Sequence, residues 1–268
     1  MLIDSVIIVL REVLEAALLI AMLLAAAHRL EPRVRFRFAR GIALGTVGAV
    51  LFGMLLLHAS GWFDGAGYEL LNSGLRLLIY LNILTVLGLL AGAWSGSARP
   101  STWLSAAMVA VVALAITREG AEILLYFSSF MRQLGATSDA LTGVALGLGV
   151  GMSSGALFYY ALIALPPLTA QGTIVGLLAL MGAGKCTQAI TLLVQADWLP
   201  AQSKLWNSST LLSESSLPGQ LLAPLIGYEA TPPPLQVAAY LASLGAALAI
   251  FTLGARSVSP AEPGTDAS

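Results

Sequence analysis

Residues 11–15 read REVLE, and residues 118–122 read REGAE. Both copies of this Arg-Glu-x-x-Glu pattern lie inside apolar runs: AALLIAMLLAAA follows the first, and STWLSAAMVAVVALAIT precedes the second. A charged side chain at the centre of a membrane helix costs about 2.5–3.5 kcal/mol on insertion scales. Such residues in apolar helices indicate a functional site, because helix formation alone does not require them.

The composition predicts an all-α integral membrane protein. The chain has 268 residues, of which 57% are hydrophobic and 10% are charged, and its mean hydropathy is +0.85. Soluble domains carry about 25% charged residues, so this chain is expected to be surrounded by membrane lipid. The net charge of −1 argues against a nucleic-acid partner. The single cysteine, Cys186, excludes an intrachain disulfide and a thiolate metal cluster.

Apolar runs of about 20 residues predict seven transmembrane helices and a retained first helix rather than a cleaved signal peptide. The predicted helices are 2–27, 41–60, 72–94, 103–130, 140–165, 172–196 and 235–255, with an outer polar segment at 197–234 and a disordered cytoplasmic tail at 256–268. The connection after the first helix carries five arginines, and cytoplasmic loops are enriched in Lys and Arg. We therefore expect the N-terminus outside and the C-terminus in the cytoplasm, in the cytoplasmic (inner) membrane.

The two motif copies indicate an inverted repeat. They fall in the first and fourth predicted helices, so the two copies cross the membrane in opposite directions. Many transporters build a site near the midplane from two such halves. The prediction is a repeat of 3+3 helices plus one additional C-terminal helix. Glycines at every fourth position of helix five, namely Gly143, Gly147, Gly151 and Gly155, predict a smooth ridge for close helix packing.

Helical spacing puts the charges of each motif on one face. At about 100° per residue, Arg11 and Glu15 are neighbours that are expected to pair, as are Arg118 and Glu122. If helices one and four meet, four carboxylates converge: Glu12, Glu15, Glu119 and Glu122. The two arginines, which we expect to balance charge, leave a formal surplus of −2 that would attract a cation or protons.

Two questions stay open at this point. Buried ion pairs that only fix helix packing would also explain the motif, although they leave the second glutamate of each copy without a purpose. Carboxylate, hydroxyl and carbonyl oxygens suit ferric or ferrous iron, manganese, magnesium, calcium or protons, whereas copper(I) and zinc favour sulfur or imidazole ligands. The ligand chemistry does not choose among the hard cations.

Further polar residues predict a path from the outer mouth to the carboxylates. The predicted path comprises Asp4, Asp64, Glu69, Tyr126, Ser129 and Glu214. Glu214 is alternatively a solvated loop residue. Lys185 is predicted to act as an intramembrane gate. Arg76 is expected to repel cations, to pair with a motif glutamate or to extend outward to the interface.

The chain resembles the iron permeases of the oxidase-dependent iron transporter family, which are fungal plasma-membrane permeases and their bacterial counterparts. The resemblance rests on the two motifs and on LWNSSTLLSESSLPGQLLAPLIGYEATPPPLQVAAYL before the last helix. The family's usual motif is Arg-Glu-Gly-Leu-Glu, from which Val13 and Ala121 depart. Asn207 stands where bacterial members commonly have Asp.

This resemblance implies the function and its residues. It implies import of iron, thought to pass as the ferric ion after oxidation at the outer face, with the motif glutamates as ligands. It also implies iron as substrate without a cofactor, a periplasmic or extracellular iron oxidase or iron-binding partner, and no enzymatic activity. The alternatives are a transporter of another hard cation such as manganese or lead, a membrane-embedded metal-dependent enzyme, or a sensor subunit.

Overall fold

The computed structural model describes the backbone of residues 2–30, 35–59, 61–95, 102–131 and 137–256. Helices make up most of these ranges, which contain no strand, and this confirms the all-α class. The predicted tail lies outside the described residues except for Arg256, which ends the last helix. The helices are α1 (Leu2–Leu30), α2 (Arg35–Ala59), α3 (Gly67–Trp94), α4 (Thr102–Met131), α5 (Thr137–Ala164), α6 (Pro167–Gln195), α7 (Leu217–Ile226) and α8 (Pro234–Arg256), with a 3-10 turn at Phe63–Gly65.

Five of the described helices are long and apolar enough to cross a membrane, namely α2, α3, α5, α6 and α8. The helices α1 and α4 are not among the five. They have 29 and 30 residues and carry the two charged motifs. The chain is therefore a membrane protein by length and composition, and the count of seven spans stays a prediction.

Each motif helix packs along a glycine-bearing helix, α1 along α5 and α4 along α2. A Cβ atom at Gly151 of α5 would lie 2.6 Å from Val13 Cγ1, and one at Gly155 would lie 2.6 Å from Ala17 Cβ. In the other pair, a Cβ atom at Gly48 of α2 would overlap the Thr117 hydroxyl. The absence of side chains at these glycines lets the helices touch by their backbones, as the ridge on α5 predicts.

The apolar core lies on one side of the motif charges. On α1 and α3 the core residues come after the charged residues Glu12 and Arg76 in the chain. On α4 and α6 they come before Arg118 and Lys185. Opposite chain directions thus bring the apolar halves of these helices to the same end. The fully buried members include Leu19, Met22, Leu23, Ile83, Leu87, Leu90, Met108, Val111, Leu178 and Met181.

The helix α7 lies within the segment 197–234, where the sequence predicts only an outer polar connection. Ser216 caps its start by accepting a hydrogen bond from the Gly219 N–H at 3.2 Å, and Gly227 ends it with φ +69°. A Cβ atom at Gly184, within α6, would lie 2.8 Å from Gly227 Cα. Because α6 continues to Gln195, this contact lies roughly 16 Å below its end at about 1.5 Å per residue. The segment therefore reaches into the helix bundle.

Substituting Gly151 by Leu tests the contact between α1 and α5. The added side chain would collide with Val13 and destabilise the protein by about 1–3 kcal/mol, the typical cost of overpacking. The matched control is Gly149→Leu in the same helix, where nothing lies within 4 Å of a Cβ atom. Thermal unfolding in detergent should show a lower Tm for the first variant only. Equal transition temperatures would contradict this packing.

Candidate metal site

The Arg118 guanidinium lies among the four motif carboxylates. Its Nη1 donates to Glu15 at 2.9 Å, to Glu12 at 3.3 Å and to Glu119. Its Nη2 donates to Glu122 at 2.5 Å. The Arg118 side chain is only 2% exposed, so these ion pairs are shielded from water. We call the four glutamates the carboxylate cluster.

The cluster forms because α1 and α4 run antiparallel and meet along their motif faces. Ser5 near the start of α1 and Tyr126 near the end of α4 share a hydrogen bond of 2.9 Å between their hydroxyl groups. About two to three turns further along α1, Glu12 and Glu15 meet Arg118. The alternation of three and four residues that predicts one polar face therefore supplies both halves of the site.

Two more cations reach the cluster from α3 and α6. Lys185 of α6 lies 2.7 Å from Glu15 and 2.8 Å from Glu119, with a side chain 2% exposed. Arg76 of α3 is buried, and its Nη2 lies 3.7 Å from a Glu122 carboxylate oxygen. Of the alternatives left open for Arg76, the structure shows the pairing with a motif glutamate, and its burial argues against the outward extension.

Arg11 does not belong to the ion-pair network. The expected pairing of Arg11 with Glu15 is wrong, since Glu15 is buried against Arg118 and Lys185. The Arg11 side chain is exposed, lines a cavity and has no ion pair among the described residues. Its long side chain reaches water, which avoids the desolvation cost that a buried charge incurs. Lys185 and Arg76 replace Arg11 as partners of the cluster.

The network therefore carries a smaller charge surplus than the motifs alone suggest. Four carboxylates face three cations, Arg76, Arg118 and Lys185, so the formal net charge is −1 instead of the expected −2. Removing one partner of such a buried network leaves an unpaired charge at a cost of about 3–5 kcal/mol.

Three of the carboxylates are arranged like a metal site. Glu12, Glu119 and Glu122 each offer one oxygen, and these oxygens lie within 4.8 Å of one another. Glu12 and Glu119 are buried, whereas the Glu122 side chain is 21% exposed and is the most accessible of the three. Glu15 lies beside this group, held by Arg118 and Lys185 and by a long contact of 3.5 Å from Gln188. Hard oxygen ligands of this kind suit iron, manganese or magnesium.

A cavity of about 330 Å³ lies between α1, α3, α6 and α7, on the side of the network opposite the apolar core. We call it the outer cavity. Two of its lining residues, Arg76 and Gln188, also contact the carboxylate cluster. The other polar lining residues are Arg11, Thr187, Thr191, Gln195, Glu214, Gln220, Tyr228 and Glu229.

Two acidic residues of the cavity come from the segment around α7. Glu214 is exposed, and one of its carboxylate oxygens accepts a hydrogen bond from the Ala230 N–H at 2.6 Å. Burial raises the pKa of the Glu229 carboxyl, and the negative charge of Glu214 raises this pKa further, against the lowering effect of a hydrogen bond with Gln236. Sequence reasoning did not single out Glu229 or Gln188, because neither follows a motif or a helical charge pattern.

The other residues of the predicted entry path are spread over several elements of the structure. Tyr126 contacts Ser5 above the cluster, whereas the Ser129 hydroxyl donates to the Tyr126 carbonyl within its own helix at 2.7 Å. Asp64 is exposed in the 3-10 turn with φ +58°. Glu69 is half-buried near the start of α3, and the side chain of Asp4 lies outside the described side chains. Among the path residues whose side chains the structure describes, only Glu214 lines the outer cavity.

A family model matches residues 95–259, more than half of the chain, and describes the iron permease FTR1 family. The chain belongs to this family. The matched region covers α4 with the second motif, α6 with Lys185, and the outer segment with α7. No curated protein and no solved structure matches the chain. The family identifies the protein as a membrane permease for iron, and it confirms the resemblance seen in the sequence.

Replacing Lys185 by Met tests the ion-pair network. The loss of this cation leaves Glu15 and Glu119 undercompensated, so we expect destabilisation of about 3–5 kcal/mol. The control Lys204→Met changes an exposed lysine and should leave the Tm unchanged. The double variant Lys185→Met with Glu15→Gln should recover part of the loss, since it removes one unpaired charge. Additive losses would contradict direct coupling between Lys185 and Glu15.

Proposed function

We propose that the protein imports iron, in the ferric form, by binding it at the carboxylate cluster. The observation that carries this proposal is the group of three carboxylate oxygens, from Glu12, Glu119 and Glu122, within 4.8 Å of one another in an apolar bundle. Neighbouring carboxylates can replace the hydration shell of a hard cation. In this mechanism Glu15 completes the cluster, either as a fourth ligand or as the carboxylate that holds Lys185 in place.

Arg118 occupies the cluster between transport cycles. Its guanidinium contacts all three proposed ligands, so an arriving ion competes with it for the same oxygens. The attraction of a carboxylate for an ion grows with the ion's charge, which favours iron over the monovalent guanidinium. When iron leaves, Arg118 pairs with the carboxylates again, and they are never left buried without a partner.

An inverted repeat would explain the arrangement of the site. The helices α1 and α4 each pack on the second helix of the other half, which are α5 and α2, respectively. Arg76 lies nine residues inside the start of α3 and Lys185 ten residues inside the end of α6, so both cations lie at about the same depth. Rocking of such halves around a central site is a common transport mechanism.

The direction of transport follows from the two ends of the bundle. The outer cavity approaches the cluster from one side, and the apolar core around Leu19, Met22 and Met108 closes the other side. With the N-terminus outside, as the arginine-rich connection suggests, the cavity opens to the periplasm or exterior. Iron supplied there by an oxidase or an iron-binding protein would enter the cavity and then reach the cluster. The membrane would be the cytoplasmic membrane.

Iron uptake into proteoliposomes tests the assignment. Each of Glu12→Gln, Glu119→Gln and Glu122→Gln removes one carboxylate, and we expect uptake of radiolabelled iron to fall at least about tenfold because one charged ligand is lost. The matched control is Asp197→Asn, an exposed acidic residue with φ +57° that Asn also tolerates. Uptake that survives all three glutamine substitutions would exclude this site.

The same assay separates iron from other hard cations. Manganese and lead are the competing substrates, since oxygen ligands also accept them. An excess of unlabelled iron should suppress uptake of labelled iron, whereas equal amounts of manganese should not. Suppression by manganese at least as strong as that by iron would make manganese the substrate.

A further inference from the structure

We propose that Arg76 sets the binding threshold of this permease, as a tethered cation that lies between the outer cavity and the carboxylate cluster and that an ion entering from this cavity displaces. This inference rests on the proposed function. It concerns the side of the cluster that faces the cavity, where none of the four motif glutamates is a lining residue.

The barrier consists of two residues. Arg76 and Gln188 line the outer cavity and also contact the cluster, Arg76 through Glu122 and Gln188 through Glu15. Arg76 Nη1 also donates a hydrogen bond to the Gln188 side-chain oxygen, so the two side chains form a bridge between α3 and α6. A cation that enters from the cavity meets this bridge before it meets Glu122.

Among the three cations of the network, Arg76 is held most loosely by carboxylates. It lies 3.7 Å from Glu122, whereas Arg118 lies 2.5 Å from the same residue and Lys185 lies 2.7 Å from Glu15. The Nε atoms of Arg76 and Arg118 are both buried without a hydrogen-bond partner among the described residues, so the distances to the carboxylates make the difference. Arg76 therefore loses the least ion-pair energy when it leaves the cluster. The polar cavity beside it can accommodate the displaced guanidinium.

The displacement of Arg76 sets a threshold for binding. Moving Arg76 costs the same free energy whichever ion replaces it, so it multiplies the Kd of every ion by one factor. An ion that binds strongly, such as iron, still binds after this loss. For abundant ions that bind weakly, such as Ca²⁺ and Mg²⁺, the Kd rises above the concentration at which the ion is present, so these ions leave the site empty. The residue thus protects the site from common cations without any contact that recognises iron.

Direct binding measurements on the purified full chain test this role. The Kd values of Ca²⁺, Mn²⁺ and ferric iron, the last supplied as a citrate buffer, are measured separately for the wild type and Arg76→Gln. Loss of the tethered cation should lower all three Kd values by about tenfold or more, and by a similar factor. Arg76→Lys keeps the positive charge and should stay within about threefold of the wild type. If the Gln variant does not fold, Arg76→Met is the second neutral variant, because apolar replacements of buried charges are often tolerated.

Each outcome decides the question. Unchanged Kd values in the neutral variant, or equal shifts in the Lys and neutral variants, would overturn the role of the charge. A shift that grows with the valence of the ion would mean that Arg76 repels from a fixed position, which overturns displacement. The Glu12, Glu119 and Glu122 variants, measured beside these, keep the two proposals apart. If they lose binding while Arg76→Gln matches the wild type, only the present inference fails.

Discussion

The structure depends on the insertion of one guanidinium among four carboxylates from two antiparallel helices. Arg118 contacts Glu12 and Glu15 across the interface and Glu119 and Glu122 on its own helix. Buried carboxylates without a partner would separate α1 from α4 or take up protons, since isolated buried charges are very costly. The helices of the bundle must therefore hold the two motif faces within hydrogen-bonding distance.

The need to hold the two motif faces together explains what each of the other helices contributes. The helices α5 and α2 carry glycines where α1 and α4 approach, so the motif helices are supported by backbone contact on their outer flanks. The helices α3 and α6 each add one cation, Arg76 and Lys185, so that three positive charges face the four negative ones. The surplus of one negative charge leaves the cluster attractive to a cation.

The ion-pair network lies between an apolar core and a polar cavity, as expected for a transport site that is closed on one side and open on the other. On one side an apolar core excludes water, and on the other a polar cavity of about 330 Å³ reaches the residues next to the carboxylates. The helix α7 helps to shape this cavity, because Gly227 and Gly184 allow its end to rest against α6. A short helix that enters the bundle in this way can carry side chains toward the site that a surface loop could not.

The sequence by itself determined the helical class, the membrane setting, the face that carries each motif and the family. The first three follow from local periodicity and composition, which act over a few turns of helix. The family follows from the resemblance of the two motifs and of the segment before the last helix. Tertiary structure alone decided which cation meets which carboxylate: Lys185 lies 170 positions from Glu15 along the chain, and Arg11, a near neighbour of Glu15, points elsewhere. It also decided that α7 enters the bundle, although its two prolines, its glycine and the serines before it are typical of a surface loop. Helical spacing fixes the direction in which a side chain leaves its own helix, whereas its partner depends on how distant helices pack.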